Sequence, residues 1–378
     1  MVTEAQDKSG LKLLVYYDRL IGNAYFGWNF NKNLSKVKKY SLIAWNLLVL
    51  SLVSIHCYIG LKNSFSSKQS QFSNINYKNN LTETGLPFIL FSVSYVTFTS
   101  QTLLISLFLL FRGHKILDVL NESPIVKVEP KFERKIGLIL VIFNFSSVVL
   151  IEFILSLFSY QKIRFNGLKS ILTFIYIKVV YFLSVNIQLS VLSFIIYKSF
   201  IVWHQFKIIA KIKDLRIIFD LVQKIQESVE RFDCLINFYI LVNLSVNTLD
   251  LISVVCMLAI VPNLSVEKSV SYLLGSSLLL LRFCLFCDII PNQFEKFLSK
   301  TEKKFREIKE KHLSSEQLLN HIILMRLREM KERMGFTAFD LFRVNANILV
   351  SCLALIVSYS IIIIQTTLST SDSQLQKH

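Results

Sequence analysis

The last apolar run, residues 344–366, carries polar side chains on one face of a predicted helix. Steps of four, three, four and three residues place five side chains along one line: Ser351, Leu355, Ser358, Ile362 and Gln365. Hydroxyl and amide groups in such a line can hydrogen-bond water or contact a passing ion, whereas bulky aliphatic groups exclude water. One interpretation is therefore a helix that lines a narrow water-filled path. The alternative is a helix that packs on its neighbours through small polar residues, which is common in membranes.

Ionisable side chains lie inside other apolar runs. Asp250 and Arg282 are both near the middle of their runs, and Glu152 and Lys178 share a depth closer to one membrane face. A charged side chain at the centre of a bilayer costs about 3 kcal/mol unless it is paired or hydrated, so each is a functional candidate. We predict the pairs Asp250 with Arg282 and Glu152 with Lys178. Such pairs either fix the register of the helices or line a ligand pocket.

Uncharged polar residues extend the predicted pocket. Residues 86–111 are unusually rich in them, so much of that helix must face protein or water rather than lipid. Aromatic, amide and ionisable groups together suit a small organic ligand. The ligand-binding candidates are Tyr95, Gln101, Glu152, Lys178, Tyr181, Asn247, Asp250 and Arg282.

No catalytic motif stands out in the sequence. The HExxH, phosphate-binding-loop and GxSxG patterns are missing, so we predict no enzymatic activity, no metal and no cofactor. Cys284 and Cys287 form a CxxC within an apolar run that has no second such pair, and we interpret them as packing residues.

Apolar runs long enough to cross a bilayer must position all of these residues. The chain has 378 residues, 53% of them hydrophobic, and several runs reach about 18 residues. This composition predicts an all-α integral membrane protein. Seven transmembrane helices are predicted, over residues 41–61, 86–111, 136–158, 171–197, 235–261, 269–290 and 344–366.

The distribution of basic residues predicts the orientation of the chain. Four segments between spans, including the N-terminus, hold 32 of the 42 Lys and Arg residues, and the alternate segments hold 8. Because basic loops mark the cytoplasmic side, the N-terminus is predicted inside and the C-terminus outside. A net charge of +16 is thereby explained by membrane topology, and no nucleic-acid partner is predicted. Asn80 and Asn263, the glycosylation candidates, both fall in predicted outer loops.

A short motif closes the seventh predicted span. Ser358 and Tyr359 are followed by Ser360 and four Ile residues and then by Gln365 and Thr366. This resembles the C-terminal signature of insect gustatory receptors, which has Thr-Tyr, five mostly apolar residues and Gln-Phe. Tyr359 and Gln365 match, Ser358 keeps the hydroxyl, and Thr366 departs from the usual Phe. The layout of seven spans extends the resemblance over nearly the whole chain.

The resemblance implies a ligand-gated, poorly selective cation channel of four subunits, in the membrane of a sensory neuron. It implies a small-molecule tastant, bitter compounds among the possible ligands, and a homo- or heterotetramer with other gustatory receptor subunits. Each subunit would give its seventh span to a central pore. By motif position Ile362, Gln365 and Thr366 are candidates for the constriction, with Ser358 and Leu355 further along the same face. A smaller polar residue at Thr366 would loosen the closed gate.

The predicted spans divide the chain into segments. These are a cytoplasmic N-terminal segment (1–40), a six-helix ligand-binding bundle (41–290) with a cytoplasmic helical extension (198–234), anchor helices (291–343), the pore helix (344–366) and an extracellular tail (367–378). An amphipathic helix near the membrane surface is predicted around Leu13 to Leu20. In the anchor we predict a helix from Phe294 to about His312, then a second one capped by Ser314, with Leu318, Ile322 and Leu327 on its apolar face.

Two other classes of protein fit seven spans. A metabotropic seven-helix receptor has its N-terminus outside, contrary to the distribution of basic residues. A transporter often shows internal repeats or spans interrupted by Gly and Pro. The sequence shows neither feature, but it leaves the tastant, the partner subunits and the permeant ion open.

Overall fold

The computed structural model describes residues 9–21, 36–66, 85–159, 168–260, 266–306 and 315–375. The helices of these residues are α1 Ser9–Leu20, α2 Lys36–Ser66, α3 Gly85–Asn121, α4 Pro130–Ser159, α5 Leu168–Ile209, α6 Leu215–Ile260, α7 Val266–Cys287, α8 Ile289–Arg306, α9 Ser315–Glu329 and α10 Ala346–Leu375. A 3-10 helix (Met330–Arg333) and a hairpin of two short strands, β1 Thr337–Ala338 and β2 Phe342–Arg343, lie between α9 and α10.

The predicted spans coincide with long helices. The first five predicted spans lie almost wholly within α2 to α6, and the seventh lies in α10. The sixth was predicted to end at Ile290, but α7 ends at Cys287 and a new helix begins at Ile289. Within the described residues, three segments are long and apolar enough to cross a membrane: Lys178–Ile209, Leu215–Cys256 and Ala346–Thr366. The count of seven spans stays a prediction.

Two helices are much longer than a bilayer is thick. The 42 residues of α5 and the 46 of α6 extend for about 63 and 69 Å at 1.5 Å per residue, roughly twice the thickness of a hydrocarbon core. About half of each helix therefore extends beyond the thickness of one bilayer. The extended part of α5 meets α8, where the ring of Phe206 lies 5.5 Å from that of Phe294 and 5.3 Å from that of Phe297. We call this region the extended end.

Helix α5 forms the centre of the bundle. It contacts α1, α2, α3, α4, α6, α7 and α8, and its side chains are buried without interruption from Leu183 to Ser199. Its polar residues Ser184, Gln188 and Ser193 lie within this stretch. A helix buried on every side in an apolar environment must have its polar groups hydrogen-bonded. Accordingly, Asn144 of α4 donates to Ser193 over 2.5 Å.

The predicted amphipathic helix near the N-terminus forms α1, but its buried face differs from the expected one. Leu11, Leu14 and Val15 are fully buried, whereas Tyr16 and Leu20 are exposed. The helix packs on α4, where Gly10 and Gly137 bring the two backbones into contact. Instead of lying on the surface through its whole apolar face, α1 is therefore part of the bundle. Its hydrogen bonds to α5 join Tyr17 to Asn186 and Ser190 to Asp18.

The anchor differs from its predicted form in its bounds and in its buried face. Helix α8 begins at Ile289, five residues before the predicted start, and Ser314 falls outside the described residues. On α9 only Leu327 of the predicted apolar set is fully buried, while Leu318 is 61% and Ile322 is 47% exposed. Helix α9 contacts α6, α8 and the 3-10 helix, and the face that carries Leu318 and Ile322 is left exposed. Arg328 of α9 pairs with Glu302 of α8 over 2.6 Å.

Candidate functional site

Three faces run along the apolar part of α10. A narrow strip, Cys352, Ile356 and Ser360, is buried against the bundle, where α10 contacts α6 and α7. A purely aliphatic face is exposed: Val350, Leu353, Val357 and Ile361. The third face, also exposed, holds the predicted mixed line of Ser351, Leu355, Ser358, Ile362 and Gln365. At 100° per residue this line lies roughly opposite the buried strip.

These exposed faces need a covering partner. The side chain of Val357 is 56% exposed, that of Leu355 48% and that of Ile362 52%. Apolar surface extending over the length of a helix is covered either by lipid or by protein. Lipid would suit the aliphatic face, but the hydroxyls of Ser351 and Ser358 and the amide of Gln365 would lose hydrogen bonds in it. The mixed face is therefore better suited to water or to polar groups of another subunit.

The C-terminal motif lies on exposed turns of α10. Tyr359 is 52% exposed, and Ser358, Gln365 and Thr366 are exposed as well. The Thr366 hydroxyl lies 2.9 Å from each of the carbonyl oxygens of Ile362 and Ile363. Because its one proton is shared between two backbone acceptors, this side chain turns back along its own helix. The exposed amide at the C-terminal end of the mixed face is therefore that of Gln365.

A buried chain of polar groups joins three helices in the bundle. Asn247 donates to Asn243 (2.6 Å), and Asn243 donates to the Tyr239 hydroxyl (3.0 Å). Tyr239 in turn donates to the backbone carbonyl of Gln188 on α5 (2.9 Å). The side chain of Gln188 donates to the hydroxyl of Thr102 on α3 (3.0 Å). We call these five residues the polar chain.

Aromatic rings surround the middle of the polar chain. The Tyr239 ring is stacked on Phe108 of α3 at 6.3 Å and meets Phe283 of α7 edge-on at 6.1 Å. Next to Thr102, the amide of Gln101 is 2% exposed, and its Nε2 has no hydrogen-bond partner among the described residues. A buried donor without an acceptor is costly, so the Nε2 of Gln101 is placed to donate a hydrogen bond to an oxygen of a molecule that enters the bundle.

Comparison with solved structures identifies the architecture. A structure of the insect olfactory receptor OR5 from Machilis hrabei in complex with eugenol matches with a TM-score of 0.64 at 14% sequence identity, over 94% of this chain and 97% of that one. The chain has the fold of an insect olfactory receptor. A second structure of the same receptor matches with the same TM-score and coverage at 15% identity. No family model and no curated protein matches the sequence.

The receptor fold brings some of the predicted ligand residues together. Gln101 and Asn247 are both buried, the first beside Thr102 and the second at one end of the polar chain. Lys178, Asp250 and Arg282 are partly buried. The guanidinium of Arg282 lies 4.8 Å from the centre of the Phe143 ring, a cation–π contact that the sequence did not indicate. The side chains of Tyr95, Glu152 and Tyr181, like Asn80 and Asn263, lie outside the described residues, and the two ion pairs stay predictions.

A cavity opens elsewhere in the receptor fold. It measures about 30 Å³ and lies at the extended end, between Tyr197, Gln205 and Ser228. There the Lys198 ammonium donates to the Ser228 hydroxyl over 2.7 Å. This volume holds about two water molecules, and none of the predicted ligand residues lines it.

Sequence reasoning missed the most connected residues of the polar chain. Neither Tyr239 nor Gln188 is among the predicted candidates, although the hydrogen bond between them joins α6 to α5. Their signal was present in the sequence. Tyr239, Asn243 and Asn247 follow one another at steps of four, which is the spacing of consecutive hydrogen-bonding positions on a helix.

Removing the Tyr239 hydroxyl is expected to destabilise the receptor fold. In Tyr239→Phe the Gln188 carbonyl loses its donor and the Asn243 amide loses its acceptor, both in a buried setting. Leaving such groups unpaired costs about 1–3 kcal/mol. The midpoint of thermal unfolding of the purified protein, followed by tryptophan fluorescence, should fall by several degrees. Tyr40→Phe is the matched control, because Tyr40 is 70% exposed, and it should melt like the wild type.

Proposed function

We propose that this protein is an insect chemoreceptor subunit of the gustatory type, a ligand-gated non-selective cation channel that detects small-molecule tastants. The observation that carries the proposal is the surface of α10. The helix is attached by one narrow strip, and its opposite face, a line of hydroxyl, aliphatic and amide groups, is exposed in the single chain. Four copies around an axis would bring four such lines together as the wall of a pore, while the aliphatic faces would contact neighbouring subunits or lipid.

The proposed orientation places the extended end in the cytoplasm. The basic residues of the sequence favour an inside N-terminus and an outside C-terminus. Segment 198–234 and the anchor helices of 291–343 then lie beneath the membrane, and the tail from residue 367 lies outside. Leu318, Ile322 and Met325 form an exposed apolar line on α9, which suits contact between anchors of adjacent subunits. The subunit would reside in the plasma membrane of a sensory neuron, as a homo- or heterotetramer.

The proposed ligand is a small organic molecule, with bitter compounds as one class to test. OR5, whose fold this chain shares, was solved in complex with eugenol. In this chain the candidates for contact are Tyr95, Gln101, Glu152, Lys178, Tyr181, Asn247, Asp250 and Arg282. The Nε2 of Gln101, which has no partner among the residues that the structure describes, favours a ligand with an acceptor oxygen.

In the proposed gating step, ligand binding in the bundle displaces α10. Ile362 would occlude the closed pore as a ring of apolar side chains that excludes water, and Leu355 would narrow the same path. When the helices move, the amide of Gln365 and the hydroxyl of Ser358 would face the ions and replace part of their hydration shell. Thr366 takes the place of a bulkier aromatic residue, so the outer part of the constriction is wider than the motif predicts.

Recording from excised patches tests the proposal. Cells that express the chain alone, and paired with other receptor subunits, are exposed to a panel of sugars and bitter compounds in solutions free of nucleotides. We expect a ligand-evoked cation current that persists after excision, since no soluble messenger is needed. A response that disappears on excision would indicate a metabotropic receptor. Tags at both termini provide a second check, because an accessible N-terminus on intact cells contradicts the proposed orientation.

A further inference from the structure

The β1–β2 hairpin connects the anchor to α10 and is docked on α6. Thr337 pairs with Arg343 and Ala338 with Phe342, and α10 begins three residues after the second strand, at Ala346. The turn between the strands places Phe339 and Asp340 at positive φ angles of 52° and 58°. This is the conformation of a tight hairpin turn, which non-glycine residues rarely adopt. Docking therefore has to maintain the shape of this turn.

Apolar contacts and one backbone hydrogen bond form one part of the docking interface. The rings of Phe232 and Phe336 are fully buried and meet edge-on at 5.9 Å. Phe339 packs edge-on against Phe238 at 6.5 Å, and its backbone N–H donates to the carbonyl of Asn237 over 3.3 Å. These contacts have no charged member and do not respond to pH.

The carboxylate of Asp233 forms the other part of the docking interface. One Asp233 oxygen accepts the Thr337 backbone N–H over 2.8 Å, and the other lies 2.6 Å from the Thr337 hydroxyl. The same hydroxyl lies 3.1 Å from a carboxylate oxygen of Asp340. A hydroxyl has one proton, so with both acids ionised only one of them receives it. A proton on Asp233 removes the conflict, because Asp233 then donates to Thr337 and Thr337 donates to Asp340.

We propose that Asp233 is the positioning residue that holds this hairpin at the start of α10, and that uptake of one proton by its carboxyl group tightens the hold. The part concerning α10 rests on the proposed channel function, whereas the docking of the hairpin does not. In a channel, a tighter hold would resist displacement of α10, so acidification of the cytoplasm would reduce the ligand-evoked current.

The surroundings of Asp233 make its carboxyl group easier to protonate than it is in water. Asp233 is 7% exposed and precedes the predicted fifth span, which starts at Leu235, so the proposed orientation places it on the cytoplasmic side of the membrane. Burial raises the pKa of Asp233 from 3.8 to about 6; the hydrogen bonds from Thr337 lower it, and the negative charges of Asp340 and Glu230 raise it. Cys287 and Asp288 face the same region from the end of α7. The nearby cation, Arg343, donates instead to the carbonyls of Lys331 and Met334.

The sign of the pH effect follows from the pKa of Asp233 in the two states of the hairpin. Docked, the carboxyl has a pKa of about 6, and released into water it returns to about 3.8. The docked state therefore binds the proton more tightly. The extra stabilisation that this proton gives to the docked hairpin is complete below about pH 4 and is lost as the pH rises through about 6. Linkage gives about a tenfold increase in the docking equilibrium between pH 7.5 and pH 5.

Hydrogen–deuterium exchange on the purified full-length protein in nanodiscs tests this proposal. The peptide that spans 336–345 is followed at several pH values from 7.5 to 5, with rates corrected for intrinsic exchange. In the wild type its protection should rise about tenfold. Asp233→Asn mimics the protonated acid, since its amide can donate to Thr337, and should give high protection at every pH. Asp220→Asn is the control, because Asp220 is exposed on the same helix, and it should keep the wild-type pH dependence.

The outcomes separate the two proposals. Protection that does not change with pH in the wild type, or that still changes in Asp233→Asn, would overturn the role of Asp233 even if ligand-evoked currents are recorded. Protection that behaves as expected in a protein that conducts no current would support Asp233 and would contradict the channel. In conducting patches, acidifying the cytoplasmic face from pH 7.5 to 5.5 should reduce the wild-type current and leave that of Asp233→Asn unchanged.

Discussion

Gly137→Val is expected to detach α1 from the bundle. A Cβ atom at this position would overlap the backbone of Gly10, so the change forces two helices apart rather than shifting a side chain. Overpacking of this kind lowers the free energy of unfolding by about 1–3 kcal/mol, and by more when the backbone must move. The same displacement of α1 would strain the hydrogen bonds that join Tyr17 and Asp18 to α5. We expect a large drop in the yield of monodisperse protein and in its thermal midpoint.

The control for Gly137→Val introduces the same residue on the same helix. Ser146 is exposed on α4, so Ser146→Val adds a comparable volume without meeting another backbone. Protease cleavage within residues 9–20 measures the detachment directly, since α1 is buried in the wild type along Leu11, Leu14 and Val15. If Gly137→Val melted like the wild type and α1 stayed protected, the close approach of α1 and α4 would be wrong.

Truncating Ile362 is expected to produce a channel that leaks without ligand. In the proposed closed pore, four Ile362 side chains form the ring that excludes water. A change of about 1.4 kcal/mol in the equilibrium between the closed and open pore shifts it tenfold. We therefore expect the resting current of Ile362→Ala, relative to the maximal current, to rise at least roughly tenfold. Patch recordings with and without ligand measure this ratio.

Two further variants test the amide of Gln365 and the aliphatic face of α10. Gln365→Ala should lower single-channel conductance, since the ring of amides that replaces ion hydration is lost, and it should leave the resting current low. Val357→Ala is the matched control: Val357 is as exposed as Ile362 but lies on the aliphatic face of α10. Normal leak and normal permeation in both Ile362→Ala and Gln365→Ala would remove the mixed face from the pore, although the fold would remain as described.

The hydrophobic pattern of the sequence predicted where the helices lie. Long apolar runs and their 3.6-residue periodicity are local properties, so the presence of a helix over each predicted span within α2 to α6 and α10 follows from adjacent residues. The break after Cys287 was not predicted, although Asp288 stands at the break and Pro291 follows it. The burial of α5 from Leu183 to Ser199 follows from its seven neighbours, and composition alone does not distinguish this stretch from a lipid-facing helix.

The sequence by itself determined an apolar, helical chain with a basic side and a mixed line on its last long helix. Only the tertiary structure decided which side chains meet: Gln188 with Thr102, 86 residues apart, and Asp233 with Thr337, 104 residues apart. It also decided that the mixed line of α10 is exposed while Cys352, Ile356 and Ser360 are buried. The physical reason is that hydropathy and periodicity depend on adjacent residues, whereas burial and hydrogen bonding depend on which distant segment packs against a given face.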